Sequence, residues 1–199
     1  MQQTLSLIAG ILFLLGFIPY IRAIWRDRKL PPEYPGKTQP SKASWLIWAS
    51  LDTITIYGMY LEKSVNGQIV GAVFGAWLVV LLVMKYGRRG WSKLDAFCLL
   101  GAVAGISLMF LNPAWALLVS LITVFVGAFP TFRSTWKDPS GEDKLAWTIY
   151  WLSCLCAIFA VPKWTIEDAA QPITFLTIES IMMGLLFLRP SKRAQSVGS

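Results

Sequence analysis

The sequence predicts an all-α membrane protein of seven transmembrane helices, built as two parallel three-helix repeats joined by a linker helix. Three observations predict it. Seven apolar segments approach the roughly 20 residues that a bilayer crossing requires. Lysine and arginine fall almost entirely in alternate loops. A twelve-residue pattern, GFIPYIRAIWRD from Gly16 to Asp27, returns as GAFPTFRSTWKD from Gly127 to Asp138. Composition agrees: 55% of the 199 residues are hydrophobic, 15% are charged, and the mean hydropathy is +0.55. A soluble domain is nearer a quarter charged.

The segments run at about 4–24, 43–61, 67–86, 94–111, 114–132, 145–162 and 172–188. The first could be mistaken for a secretion signal. No basic residue precedes it and no small-residue cleavage site follows, so it reads as a retained span. Asn112–Pro113 makes the turn between the fourth and fifth. Pro162 should end the sixth, and Pro172 should open the seventh, because proline disrupts helix interiors and suits first turns. Of 18 Lys and Arg residues, only Lys63 and Lys163 fall on one side. The other side holds Arg22, Arg26, Arg28, Lys29, Lys37 and Lys42, then Lys85, Arg88, Arg89 and Lys93, then Arg133, Lys137 and Lys144, and finally Arg189, Lys192 and Arg193. The positive-inside rule then sets the N-terminus outside and the C-terminus in the cytoplasm, across what would be a plasma (inner) membrane. The net charge of +7 is topological, and no nucleic-acid face is expected.

Five of the twelve positions in the repeated pattern are identical. Gly16, Pro19, Arg22, Trp25 and Asp27 match Gly127, Pro130, Arg133, Trp136 and Asp138. Further on, Trp48-Ala49-Ser50 meets Trp151-Leu152-Ser153, and Gln68 meets Gln171, after an insertion around LPPEYPGKTQP in the first half. The chain therefore divides into a first repeat (1–88), a linker helix (89–112), a second repeat (113–189) and a cytoplasmic tail (190–199). Parallel repeats of this kind are a transporter architecture.

Three-plus-one-plus-three spans, an outside N-terminus and a proline near the cytoplasmic end of each repeat's first helix resemble the SWEET and PQ-loop superfamily. The family's Pro-Gln pair stands here as Pro19-Tyr20 and Pro130-Thr131. Trp147-Thr148-Ile149-Tyr150-Trp151 resembles the Trp-x-x-x-Trp element of the related nicotinamide riboside carriers. The resemblance implies transport between two rocking bundles. It also implies that aromatic residues on each repeat's second helix, here Trp48 and Trp151, form the pocket walls. Lipid-facing tryptophan is the alternative.

The residues themselves add further candidates. A proline frees a backbone carbonyl and bends a membrane helix, so Pro19 and Pro130 are expected hinges. Asp52 and Glu179 lie mid-span, where a carboxylate costs about 2.5–3.5 kcal/mol and should face the bundle interior. Trp45, Trp48, Asp52, Thr55 and Met59 share one helical face. Ser180 flanks Glu179 and joins the expected binding set. Tyr57 and Tyr60, toward the outer end of the second span, are expected at an outer gate or at the interface.

The chain contains no histidine, and Cys98, Cys154 and Cys156 lack metal-ligand spacing. No nucleophile with a visible base is present, so neither an enzyme nor a cofactor is expected. The expected partners are the bilayer and a small polar solute such as a sugar, nucleoside or amino-acid-like molecule, with a homo-oligomer left open. A non-transporting seven-helix receptor or assembly protein on the same fold is the alternative. A cysteine introduced at Ser64 should label from outside, and one at Ser140 only after permeabilisation. The reverse pattern would overturn the orientation.

Overall fold

The computed structural model describes residues 1–31, 37–38, 40–87, 90–137, 139 and 142–189. Asp138, Arg88, Arg89, Lys192, Arg193, most of the first-half insertion and the 190–199 tail lie outside the described residues. Among the described residues the chain is helical and contains no strand. The helices are α1 (Gln2–Asp27), α2 (Lys42–Leu61), α3 (Gly67–Tyr86), α4 (Lys93–Met109), α5 (Pro113–Gly127), α6 (Phe129–Lys137), α7 (Lys144–Ala160) and α8 (Ile166–Leu188).

Local chemistry explains most of the helix starts. Ser41, Asn66, Asn112 and Asp143 each accept a hydrogen bond from a backbone N–H in the first turn of α2, α3, α5 and α7. Ser92 and Asp95 form a reciprocal capping box at α4. Pro113 occupies the first position of α5, where its missing N–H costs nothing. Helix α7 ends at Ala160, and Val161 is extended before Pro162 as sterics require. Pro172 does not open the last helix as expected. Helix α8 begins at Ile166 and carries Pro172 inside, losing one backbone bond in its second turn without breaking.

Four runs are long and apolar enough to cross a membrane: Gln2–Asp27, Gly67–Tyr86, Pro113–Lys137 and Ile166–Leu188. Helix α7 is apolar but has 17 residues. Large side chains such as Leu81, Leu100, Phe110 and Phe159 are more than two-thirds exposed, as expected for a lipid-facing surface. The chain is thus an all-helical protein with the character of a membrane protein.

Helix α1 packs against α3 and α7, α2 against α3, α4 and α5, and α8 against α7 and α5. The α1–α3 contact is made backbone to backbone. A Cβ added at Gly10, Gly67 or Gly71 would collide with main-chain atoms of Gly67, Ser6 or Gly10 respectively. Such small-residue contacts let membrane helices approach closely. The two proline sites differ. Helix α1 runs through Pro19, and α5 gives way to α6 at Ala128, two residues before Pro130, where Ala128 keeps right-handed helical angles and its N–H still bonds the Val124 carbonyl at 3.1 Å. Trp25 and Trp136, twins in the repeated pattern, each lie under an arginine: Arg28 at 4.3 Å and Arg189 at 3.7 Å from the ring centroid.

Gly71→Ala should destabilise the protein by about 1–3 kcal/mol, the usual cost of overpacking. Gly184→Ala, whose Cβ meets nothing within 4 Å, should be neutral or stabilising. Thermal unfolding in detergent checks both, and equal transitions would remove the close-contact role.

Candidate functional site

A cavity of about 400 Å³ lies between α1, α2, α5, α7 and α8. Helix α1 contributes Phe13, Phe17 and Tyr20, spaced so that one face turns inward. Helix α2 contributes Ser44, Trp45, Trp48 and Asp52, helix α7 Trp147 and Tyr150, and helix α8 Phe175, Ile178 and Glu179. The mouth is framed by Ser41, Pro130, Ser134 and Glu142, at the end where α2 and α7 begin.

The aromatic rings form a connected wall. Phe13 and Tyr150 stand 4.8 Å apart between centroids, Phe17 and Tyr150 5.2 Å, and Trp45 and Trp48 5.6 Å. Two indoles are fixed by hydrogen bonds. Trp45 Nε1 donates to Tyr20 Oη at 3.3 Å, and Trp147 Nε1 donates to Glu142 Oε2 at 3.0 Å.

The repeated glycine now has a physical reason. A Cβ at Gly16 would lie 2.5 Å from the Tyr150 ring, and one at Gly127 would lie 2.7 Å from Trp48 Nε1. Each glycine in the repeated pattern therefore makes room for an aromatic residue from the second helix of the opposite half. By this contact, the counterpart of Trp48 is Tyr150 rather than Trp151. One residue further on is about 100° around the helix, so Trp151 turns toward α8. Its Nε1 donates to Ser180 Oγ at 3.0 Å, away from the cavity.

Of the expected site residues, the structure brings Trp48, Asp52, Glu179 and Pro130 together around one space. Trp151, Ser180 and Pro19 lie outside its lining. Thr55 and Met59 continue the inward face of α2 and are fully buried. Tyr57 and Tyr60 are 52% and 67% exposed and stack on each other at 6.4 Å. They turn outward, while Thr55 and Met59 occupy the inward face of α2.

Sequence reasoning passed over Tyr20, Trp147, Tyr150 and Glu142. The signal for Tyr150 was the recurring glycine, which demanded a bulky neighbour from elsewhere. Deep in the cavity, Asp52 is 9%, Glu179 6% and Tyr150 7% exposed. Glu179 Oε2 and Tyr150 Oη have no hydrogen-bond partner. Among the described residues, no lysine or arginine lines the space. Buried groups of this kind cost free energy until something pairs with them.

A polar cluster occupies the opposite end of the helices. Gln171 Nε2 donates to Gln68 Oε1 at 3.1 Å, and Asn66 Nδ2 donates to Gln171 Oε1 at 2.8 Å. Gln68 Nε2 donates to Ser153 Oγ at 3.3 Å and to Cys154 Sγ at 3.1 Å, and Ser153 Oγ donates to the Ala9 carbonyl at 2.7 Å. Gln68 and Gln171, paired as repeat twins by sequence, are both fully buried. Among the described residues, cysteines 98, 154 and 156 are free and no metal-binding cluster occurs. Searches against family models, curated proteins and solved structures found no match.

Glu142 precedes α7, outside the apolar run. It keeps some exposed surface, but its carboxyl reaches into the mouth of the cavity. Burial pushes it up to about 7 from the ordinary 4.5, against the bond from Trp147 and with a further rise from Asp143. The folded state therefore holds this proton more tightly than the unfolded chain does. The associated stability is present below about 4.5 and is lost as pH rises through about 7. Glu142→Gln should flatten the fall in melting temperature across that window. An unchanged slope would mean that solvent screens the carboxyl.

Proposed function

We propose that the chain crosses the membrane seven times and carries a small polar solute by alternating access between two three-helix bundles. One observation carries this reading. Among the described residues, every hydrogen bond joining α1–α3 to α5–α8 lies at the end opposite the cavity mouth. Those bonds are the Gln68 and Gln171 cluster, with a further one from Gln2 Nε2 to the Val161 carbonyl at 3.2 Å. A cavity open at one end and a hydrogen-bonded clasp at the other are what one access state of a rocking carrier requires.

Packing order supports two equivalent bundles. In the first half α3 lies against both α1 and α2, and in the second α8 lies against both α5 and α7. Across the halves, α1 meets α7 and α5 meets α2, which is the same relation read in both directions. The Gly16–Tyr150 and Gly127–Trp48 contacts follow that exchange. Helix α4 packs on α2 and α5, as a linker between bundles would. Length and hydropathy alone pass over α2, α4 and α7, because α2 carries much of the polar lining and α4 and α7 have 17 residues each.

On this reading the mouth faces the cytoplasm, where the basic loops lie, and the clasp faces outside. Pro130 is the better supported hinge, since it lies beside the junction of α5 and α6 at Ala128. Rocking would open the clasp and close α6 and the start of α7 over the mouth.

Uptake into proteoliposomes across a panel of sugars, amino acids and nucleosides tests transport directly. No uptake of any of them, with the clasp intact, would favour a receptor or assembly role. Cys154 reports on the clasp, since it is fully buried and bonded to Gln68. In a background with Cys98 and Cys156 replaced by Ser, Gln68→Ala should speed maleimide labelling of Cys154 by about tenfold. That follows from losing a buried hydrogen bond worth about 1–1.5 kcal/mol. Unchanged labelling would show that the cluster does not hold that end shut.

A further inference from the structure

We propose that the cavity binds an organic cation, a protonated or quaternary nitrogen carried on a compact apolar or aromatic body. The inference deepens the transport reading by assigning its ligand class. As a statement about binding, it does not need transport to occur.

The electrostatics of the lining carry the inference. The chain has 18 basic and 11 acidic residues, yet among the described residues the cavity is lined by three acids, Asp52, Glu179 and Glu142, and no base. A random sample of this chain's charges would be net positive, so the sign of the described lining is the reverse of the chain's. Such a cleft repels anions, and its low-dielectric walls focus the field on a cation. The acids are also placed in sequence along it. Glu142 stands at the mouth, while Asp52 and Glu179 lie at depth among Phe13, Phe175 and the indole of Trp48.

The unpaired atoms make a second, independent argument. Glu179 Oε2 and Tyr150 Oη are more than nine-tenths buried without partners. A carboxylate oxygen can only accept, so its missing partner is a donor or a positive charge. A carboxylate deep in a membrane protein is tolerated when it pairs with a cation. The aromatic wall supplies the rest of the recognition, since indole and phenol faces attract cations and stack on flat rings. The volume suits a small ligand of roughly one ring with its substituents. A purely apolar ligand would leave the acids unpaired. A neutral polyol could donate to these acceptors but would leave the charge unmatched.

Three probes sharing one aromatic body separate these cases: benzyltrimethylammonium, benzyl alcohol and benzoate. Their binding to the purified full-length chain in nanodiscs can be read by isothermal titration and tryptophan fluorescence. The cation should bind at least tenfold more tightly than benzyl alcohol, and benzoate should not compete. Glu179→Gln should weaken the cation about tenfold while leaving benzyl alcohol affinity unchanged, which separates lost charge from lost fold. Trp48→Ala should weaken all aromatic probes together. Equal affinity for cation and alcohol, tighter benzoate, or an unaltered cation affinity in Glu179→Gln would overturn the assignment. Cation binding without proteoliposome uptake of the cation or the solute panel would defeat the transport reading alone. Uptake of a neutral sugar that the cation fails to inhibit would defeat the cation assignment alone.

Discussion

Two glycines and two aromatic rings hold the cavity in its place. Gly16 leaves a notch in α1 into which Tyr150 fits, and Gly127 leaves one in α5 for Trp48. Filling either notch would force the ring or its helix to shift, because close-packed interiors have no spare volume for a methyl group against a ring. The same two rings then line the cavity. Packing and recognition therefore share the same side chains: the contact that brings the halves together also sets the distance between the walls.

Polar groups are few in so apolar a chain, and the structure uses them in two opposite ways. At one end they are paired with one another. Gln68, Gln171, Asn66 and Ser153 spend their donors and acceptors on a closed cluster. In the cavity they are left open, with Glu179 and Tyr150 waiting on a partner. A satisfied network in a low-dielectric interior rigidifies its surroundings, whereas an unsatisfied one is a standing bias toward whatever can fill it. The two arrangements sit at opposite ends of the same helices, and that polarity underlies the proposed cycle.

Much of this was legible in the residues. Helix starts could be read from Ser92 with Asp95 or from Asn112-Pro113 because capping is local chemistry. Asp52 and Glu179 were legible because a mid-span acid has so few tolerable surroundings, and the α2 face followed from spacing alone. Trp151 matches Trp48 by letter but lies outside the lining, whereas the contact between a glycine and a large ring recurs at Tyr150, one position earlier. Nothing in the string records which way α7 is rotated about its axis. Glu142 was hidden because a loop residue beside a cap looks solvated until the indole of Trp147 is seen to reach back to it. Pro172 misled because early-turn proline is tolerated when neighbouring helices support the backbone.

The glycine stripe between α1 and α3 has no counterpart at the positions that match it in the sequence repeat. Gly10, Gly67 and Gly71 bring main chain against main chain, leaving no side chain there that could change rotamer and let one helix slide. The matching positions in the second half are Leu121, Ala170 and Thr174. Interfaces made of side chains can shear by small rotamer adjustments, and backbone contacts of this kind resist it. The close backbone contact is thus confined, among these matched positions, to the α1–α3 side of the molecule.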